Sequence, residues 1–200
     1  MYAVGLTGGI ASGKSTFAAF LAEYAPVIDT DAVTHKLYQP RREGYIAVVE
    51  AFGQKFLRAN GALNTDALRT LIFSDKKARI RLEKLIHPLI KREVLHWREK
   101  NNNACYGIIQ IPLLFEAGWQ SCVDYTVTLD CLEETQMKRA QARGMDEHII
   151  RAVIASQYSS EQRRALADIA ISTECSRDAL KKKAQILHTS LRMHARQFKQ

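Results

Sequence analysis

Cysteine pairs and long apolar runs are missing from this sequence, and their absence excludes several classes of protein. No C-x-x-C pair occurs among the four cysteines, so neither a zinc ribbon nor a thioredoxin-like motif is predicted, and we expect ordinary thiols in a reducing compartment. No apolar stretch approaches the roughly 20 residues that span a bilayer. The first apolar run is broken by Gly8 and Gly9 and has no basic segment before it, unlike a signal peptide. We therefore expect a cytoplasmic protein.

A concentrated basic arm is also missing, although the chain is cationic. It has 29 Lys and Arg against 21 Asp and Glu, which gives a net charge of +8. The densest basic groups, residues 76–77 and 181–183, are short, and few aromatic residues lie near them, so they are typical of solvated helix faces. An excess of positive charge also suits small polyanionic substrates. We expect nucleotide-type substrates and a monomer, with neither nucleic acid nor membrane as a partner.

Glycine is concentrated where residues 3–16 read AVGLTGGIASGKST. Gly8, Gly13, Lys14 and Ser15 match the pattern G-x-x-x-x-G-K-[ST], between a short apolar strand and an apolar helix. Glycines let the backbone curl closely around phosphates, and the helix N-terminus adds free amide hydrogens. Lys14 is expected to contact the β- and γ-phosphates of ATP, and the Ser15 hydroxyl to bind Mg²⁺. The alternative is a glycine-rich turn without a ligand.

The predicted nucleotide site therefore covers the whole of this loop and the start of the helix. Its members are Gly8, Gly9, Ile10, Ala11, Ser12, Gly13, Lys14, Ser15 and Thr16.

Two carboxylates follow the second predicted strand, residues 26–28. Ligands of open α/β sheets bind outside the carboxyl ends of the strands, which favours a chemical role for Asp31. If the strand continued, Asp29 and Asp31 would point to the same side of the sheet. The alternative is that Asp31 only caps a helix that begins at Ala32.

The chain from His35 to Asn103 is predicted to be helical, because apolar residues recur at spacings of three and four. Asn60 and Gly61 indicate a turn within it, and Ser74 and Asp75 a helix start. The dipeptide His87-Pro88 predicts a break, with Pro88 at the first position of a new helix. Such an insertion between strands two and three is expected to form the acceptor side of the cleft.

Three further strands are predicted at residues 106–111, 125–130 and 168–172, followed by a packing helix over 176–199. Between the last two strands, residues 132–158 are predicted to form a helix–turn–helix that turns at Gly144. Arg139 and Arg143 lie four apart and are expected to share one helix face. Two interpretations remain open: a solvated face paired with Glu133 or Glu134, or a mobile lid that brings guanidinium groups to a transferring phosphoryl group.

Several segments, taken in order, resemble the dephospho-coenzyme A kinase family over most of the chain. They are LTGGIASGKST, VIDTDAVTHKL, LEKLIHPLI, IPLLFEAG, the Q-x-x-R-x-x-x-R run of residues 136–143, Gln157, and Ala167-Asp168. The resemblance implies transfer of the γ-phosphoryl group from MgATP to the ribose 3′-hydroxyl of 3′-dephospho-coenzyme A. It implies an α/β P-loop NTPase fold like that of nucleoside-monophosphate kinases, with a five-stranded parallel core. The core would comprise residues 1–34 and 104–200, the lid about 132–158, and the helical coenzyme A-binding domain 35–103.

The resemblance also implies roles for single residues in catalysis. Lys14 and Ser15 match the family's phosphate and magnesium contacts. Asp31 matches the carboxylate beside the acceptor hydroxyl, as a general base or an orienting group. Arg139 and Arg143 match the lid arginines, which favours the phosphoryl-binding interpretation over the solvated face.

On the acceptor side, the resemblance implies contacts from Asp31, His87 and Glu116. His87 matches a histidine of the helical domain near the acceptor, whereas its position alone suggests only a helix terminus. Glu116 matches the acid that closes P-L-L-F-E. For Glu116, a hydrogen bond to substrate and a structural ion pair both remain open.

Four residues depart from the family pattern. Ala11 and Arg41 stand where glycine is usual, so the backbone there must be accessible to an L-residue. Thr65 replaces an arginine and Thr173 an asparagine found in many members. The last two affect expected acceptor or adenine contacts, and neither is assigned such a role.

Two other classes of function remain as alternatives. One is a kinase of the same architecture that acts on a nucleoside monophosphate or a sugar acid. The other is a nucleotide-hydrolysing switch, whose GTPase form is disfavoured because the sequence has no N-K-x-D element.

Overall fold

A computed structural model describes residues 1–198 of the chain, and within them five strands alternate with nine α-helices. The strands are β1 (Tyr2–Gly8), β2 (Val27–Asp29), β3 (Tyr106–Gln110), β4 (Tyr125–Asp130) and β5 (Ile169–Ser172). The helices are α1 (Lys14–Leu21), α2 (Thr30–Leu37), α3 (Glu43–Phe52), α4 (Thr65–Ser74), α5 (Lys76–Lys100), α6 (Glu133–Gln141), α7 (Glu147–Ser156), α8 (Ser160–Leu166) and α9 (Arg177–Gln197). Short 3₁₀ helices cover Gln54–Phe56 and Gln120–Cys122.

The five strands form one parallel sheet in the order β2-β3-β1-β4-β5, which confirms the predicted core. Strand β1 is central and buried along its whole length, because it is flanked by β3 and β4. Leu6 lies in register with Gln110 on one side and Val127 on the other. Since parallel strands end at the same edge, the turns after β1, β3 and β4 all emerge there.

Helix α9 packs against α1 and the sheet, as its apolar stripe predicts. Its buried residues are Leu180, Ala184, Leu187, Leu191 and Ala195. The Ser176 side chain caps its first turn by accepting a hydrogen bond from the Ala179 amide. The predicted end of this helix, at Lys199, lies outside the described residues.

The chain divides into two compact units, Met1–Asp29 with Arg98–Gln200, and Thr30–Trp97. The first unit contains the sheet with α1 and α6 to α9, and the second contains α2 to α4 and most of α5. The divisions predicted from the sequence lie after residues 34 and 103.

Helix α5 is continuous, so the predicted break at His87-Pro88 is wrong. Pro88 lies inside the helix, where the loss of one amide donor and the ring clash cost about 3 kcal/mol. The buried residues Ala78, Leu82, Ile86, Ile90 and Val94 recur every four positions across it. Burial of each Leu, Ile or Val contributes about 1.5–3 kcal/mol. Packing of this stripe therefore outweighs the proline.

The second unit is less helical than predicted. Helix α3 ends at Phe52, because Gly53 adopts a φ of 87°, and residues 57–64 form an irregular turn closed by an antiparallel bridge between Leu57 and Leu63. The predicted turn at Asn60-Gly61 is confirmed, and Gly61 has a φ of 77°. The predicted helix start is also confirmed, since Asp75 Oδ1 accepts hydrogen bonds from the first amides of α5.

Nothing in residues 1–198 combines the length and the hydropathy that a membrane-crossing helix requires. The four cysteines are free thiols, of which Cys131 is buried.

Candidate functional site

The phosphate loop, residues 8–16, connects the end of β1 to the start of α1, as the motif predicts. Gly8 has a φ of 147°, and a Cβ at this position would lie 2.5 Å from the Leu129 carbonyl oxygen. Gly13 precedes α1 with a φ of 91°. Both positions therefore require glycine, one for a close approach and the other for a left-handed backbone. The result is a tight turn that leads into a helix N-terminus, an arrangement suited to anions.

The Lys14 ammonium group lies against the loop backbone. Its Nζ donates hydrogen bonds to the carbonyl oxygens of Gly8, at 2.7 Å, and Gly9, at 2.8 Å. Ser15 is exposed in the first turn of α1, and Thr16 is half-buried beside it. A cation and a hydroxyl are thus presented together at the positive end of a helix dipole.

The middle of the loop is held from both sides. The Ile10 amide donates to Gln157 Oε1 at 2.9 Å, and the Thr173 hydroxyl donates to the Ser12 carbonyl oxygen at 3.0 Å. Between these bonds, Ala11 has a φ of 52°. An L-residue can adopt this conformation at a cost of about 1–2 kcal/mol, so the departure from glycine is accommodated.

Arg139 and Arg143 do not share a helix face, contrary to the prediction. Helix α6 ends at Gln141, and Arg143 is exposed in the turn that Gly144 completes with a φ of 80°. Arg139 lies on α6 and donates two hydrogen bonds of 3.0 Å, to the hydroxyl and the carbonyl oxygen of Thr173. Thr173 thus connects Arg139 to the phosphate loop. The helix–turn–helix itself, with its turn at Gly144, is confirmed.

Glu116 follows β3 and contacts the connection between α7 and α8. Its Oε1 accepts a hydrogen bond from the Tyr158 amide at 2.9 Å, and its Oε2 is buried without a hydrogen-bond partner among residues 1–198. The nearby Arg163 is buried and donates to the Tyr158 carbonyl oxygen. Burial lowers the pKa of the Arg163 guanidinium, while the charges of Glu116 and Asp130 raise it. The structure thus gives Glu116 a backbone hydrogen bond and a neighbouring cation.

Asp31 is the second residue of α2, in the second unit, and lies within its first turn. Strand β2 ends at Asp29, which accepts a hydrogen bond from Gln110 Nε2 at 3.1 Å. The strand alternation that would align Asp29 with Asp31 therefore does not extend to Asp31. The chain passes directly from β2 into α2, so Asp31 is not the residue before the helix either.

The second unit contains a cavity of about 630 Å³, which Asp31 lines. Tyr38, Arg58, Thr65 and Arg69 are among its other lining residues. Burial raises the pKa of the Tyr38 hydroxyl to about 12, so it is a neutral donor at physiological pH. Guanidinium, hydroxyl and carboxylate groups together suit a polar, anionic ligand. Sequence reasoning did not find Tyr38, Arg58 or Arg69, because no local pattern distinguishes them from surface residues.

His87 lies in the middle of α5 and is not among the residues that line this cavity. Burial lowers the pKa of its imidazole; the charge of Glu83 raises it, and Lys91 and Arg79 lower it further. The neutral form is therefore favoured. Arg41, the other departure from glycine, has a φ of 68° and is exposed at the end of the turn after α2.

Within the described residues, no group of three or more His, Cys, Asp or Glu side chains could hold a metal ion. A metal that uses only one or two protein oxygens is compatible with the loop. Mg²⁺ usually keeps several waters and binds through substrate phosphates, and the exposed Ser15 hydroxyl suits such a site.

The comparisons with known proteins agree on one family. The family model for dephospho-CoA kinase matches residues 2–178. A dephospho-CoA kinase of Nitrosospira multiformis is 40% identical over 191 residues, which cover 94% of this chain and 95% of that protein. One of Ralstonia nicotianae is 43% identical over 179 residues, covering 84% and 87%.

Solved structures show a similar fold. The crystal structure of TT1252 from Thermus thermophilus superposes with a TM-score of 0.82 at 28% identity, covering 95% of this chain and 97% of that one. The phosphate loop lies inside the residues that the family model matches, and so does the cavity that Asp31 lines. The chain therefore belongs to the dephospho-CoA kinase family, whose members catalyse the ATP-dependent phosphorylation of dephospho-CoA in the last step of CoA biosynthesis.

Proposed function

We propose that this chain transfers the γ-phosphoryl group of ATP to the ribose 3′-hydroxyl of 3′-dephospho-CoA, giving CoA and ADP. The observation that carries the proposal is the loop between β1 and α1, where Lys14 Nζ lies 2.7 Å from the Gly8 carbonyl oxygen at a helix N-terminus. Phosphoryl transfer requires little covalent chemistry from the protein, so positioning and charge neutralisation account for most of the rate enhancement.

The phosphate loop binds ATP. Its amide hydrogens and the α1 dipole face the phosphates, and Lys14 exchanges its bonds to the Gly8 and Gly9 carbonyls for bonds to β- and γ-phosphate oxygens. The Ser15 hydroxyl holds Mg²⁺, which supplies charge neutralisation at the phosphates when bound. Thr16 completes the first turn of the helix beside it.

The second unit binds the acceptor. The cavity lined by Asp31 offers Arg58 and Arg69 to the acceptor's phosphates and the neutral Tyr38 hydroxyl as a hydrogen-bond donor. Asp31 orients the 3′-hydroxyl and accepts its proton as the oxygen attacks the γ-phosphorus and the bond to ADP breaks. His87, on α5 of the same unit, contributes a neutral imidazole to acceptor binding.

The arginines of the lid, residues 132–158, neutralise negative charge on the transferring phosphoryl group. Arg139 is already oriented by its two bonds to Thr173, and Arg143 approaches the phosphoryl group when the lid closes. Glu116 acts at the base of the lid through its bond to the Tyr158 amide. The enzyme works as a cytoplasmic monomer with these two small-molecule substrates.

The test is an ADP-release assay with MgATP, run with and without 3′-dephospho-CoA. We expect release that depends on the acceptor, with CoA identified by its mass, and loss of that release in Lys14→Met. Nucleoside monophosphates and gluconate are tested as alternative phosphoryl acceptors, and neither is expected to stimulate ADP release. A folded protein that binds ATP but is not stimulated by 3′-dephospho-CoA would contradict the proposal.

A further inference from the structure

The phosphate loop packs against residues that are distant from it in the sequence. Ile10 and Ala11 pack in an apolar cluster with Ala140 of α6 and Ile150 of α7. Ala140 and Ile150 are fully buried. The segment expected to behave as a lid is therefore anchored, through its inner face, on the loop that holds the nucleotide.

Close packing at Gly9 brings two polar side chains against the same loop. Gly9 is buried so closely against the segment that a Cβ would lie 2.6 Å from Gln136 Nε2 and 2.8 Å from Arg163 Nη2. Gln136 and Arg163 are themselves 5% and 4% exposed. Two buried polar side chains thus lie directly against the backbone at Gly9, which leaves no room for a side chain there.

Among the described residues of the 132–158 segment, Gln157 makes the one direct hydrogen bond to the middle of the loop. Its Oε1 accepts the Ile10 amide hydrogen at 2.9 Å. Gln157 lies between α7 and α8, next to Tyr158, which Glu116 and Arg163 hold by its amide and carbonyl groups. The position of the Gln157 backbone is therefore specified by bonds that do not involve the nucleotide.

We propose that Gln157 is a positioning residue for the phosphate loop: its side-chain carbonyl holds the Ile10 amide, and through it the left-handed turn at Ala11, in the shape that binds the phosphates of ATP. Without this acceptor, the Ile10 amide turns toward solvent and Ala11 relaxes from its φ of 52°. The loop must then be reordered each time a nucleotide binds, which weakens nucleotide binding selectively. The inference rests on the proposed function only in taking the loop as the ATP site.

The test compares Gln157→Met, which keeps the side-chain length but removes the acceptor, with Gln157→Glu, which keeps an acceptor oxygen. For Gln157→Met we expect about tenfold weaker binding of ATP and ADP by calorimetry, and a matching rise in the KM for ATP. The KM for 3′-dephospho-CoA stays within about twofold of wild type, because the acceptor unit is untouched. Exchange of the Ile10 amide hydrogen, followed by NMR, becomes faster in Gln157→Met and is slowed again in Gln157→Glu.

The control is Gln141→Met, an exposed glutamine of the same segment, which leaves all these quantities at wild-type values. Unchanged ATP binding and unchanged Ile10 exchange in Gln157→Met would overturn the proposal. So would equal losses toward both substrates together with a lowered melting temperature, since these indicate a role in stability alone. Nucleotide binding and amide exchange are measured without a phosphoryl-acceptor substrate. Their outcome is therefore independent of whether 3′-dephospho-CoA is the substrate.

Discussion

The phosphate loop and the cavity of the second unit are built from different parts of the chain. The loop is one run of residues, 8–16, whose shape is set by glycine conformations and by hydrogen bonds to its own backbone groups. The cavity is lined by side chains from α2 and the turn after it, the turn of residues 57–64, α4 and α5. A site made of backbone is encoded by a contiguous motif, whereas a site made of side chains depends on helices packing together.

The two regions should therefore respond differently to substitution. Changes of backbone conformation within residues 8–16 should weaken nucleotide binding and leave the cavity intact, whereas changes to the side chains that line the cavity should leave nucleotide binding intact. Nucleotide binding and acceptor turnover can be measured separately, so each region has its own readout.

The largest effect is expected for Asp31→Asn, which changes the chemistry of the cavity only. If Asp31 accepts the hydroxyl proton, kcat falls about 10²–10⁴-fold, the usual contribution of a general base. ADP affinity, measured by calorimetry, should not change, because the loop keeps its structure. Asp178→Asn, at an exposed aspartate of α9 that does not line the cavity, is the control. Turnover of Asp31→Asn within about tenfold of wild type would count against a base and leave only an orienting role.

The next effect is expected for Gly13→Ala, which strains the loop backbone. Its φ of 91° is unfavourable for alanine, although the nearest side-chain atom would lie 3.7 Å from the new Cβ. We expect ATP to bind about tenfold more weakly, because a strain of 1–2 kcal/mol must be relieved by changing the loop.

Gly61→Ala provides the matched control in the second unit, where φ is 77° and nothing lies within 4 Å. It should lower the melting temperature similarly without weakening ATP binding. Equal ATP affinity in the two variants would show that loop shape is not what binds the phosphates.

A smaller effect concerns stability in acid and the half-buried imidazole of His87. Burial holds its pKa below the ordinary value of 6.5 in the folded state. The unfolded chain therefore binds a proton first as pH falls through 6.5, and the free energy of unfolding decreases until pH reaches the folded pKa. When the free energy of unfolding is measured by urea denaturation between pH 7 and pH 5, it should fall less steeply with decreasing pH for His87→Gln than for wild type. His148→Gln, at an exposed histidine of α7, is the control; an unchanged slope in His87→Gln would contradict the assignment.

The smallest effect is expected at the two non-glycine residues with positive φ. Arg41→Gly relieves a strain of about 1–2 kcal/mol and loses about 0.5–1 kcal/mol in chain entropy, so the melting temperature should rise slightly. Ala11→Gly also removes a methyl group packed against Ala140 and Ile150, and such a group contributes about 0.8 kcal/mol. We expect almost no net change for Ala11→Gly. A larger rise in melting temperature for Ala11→Gly than for Arg41→Gly would mean that this methyl group does not stabilise the loop.

The successes of sequence reasoning were local ones. Strand β4 was predicted at residues 125–130 and is found there, and the turns at Gly61 and Gly144 have the positive φ that favours glycine. These features depend on a few neighbouring residues, so a window of sequence contains the necessary information. The errors came from extending a local rule past its range. Pro88 should end a helix, but the buried stripe of α5 holds the helix together across it.

By itself, the sequence determined the phosphate loop, the parallel sheet and the family, because each follows from residues adjacent in the chain or from an ordered set of motifs. Only the tertiary structure decided that Arg139 reaches Thr173 while Arg143 lies beyond the end of α6, and that Gln157 holds the Ile10 amide 147 positions away. Contacts of that kind arise when separate elements pack and bring distant polar groups within hydrogen-bonding distance. No short-range pattern of residue types specifies such distances.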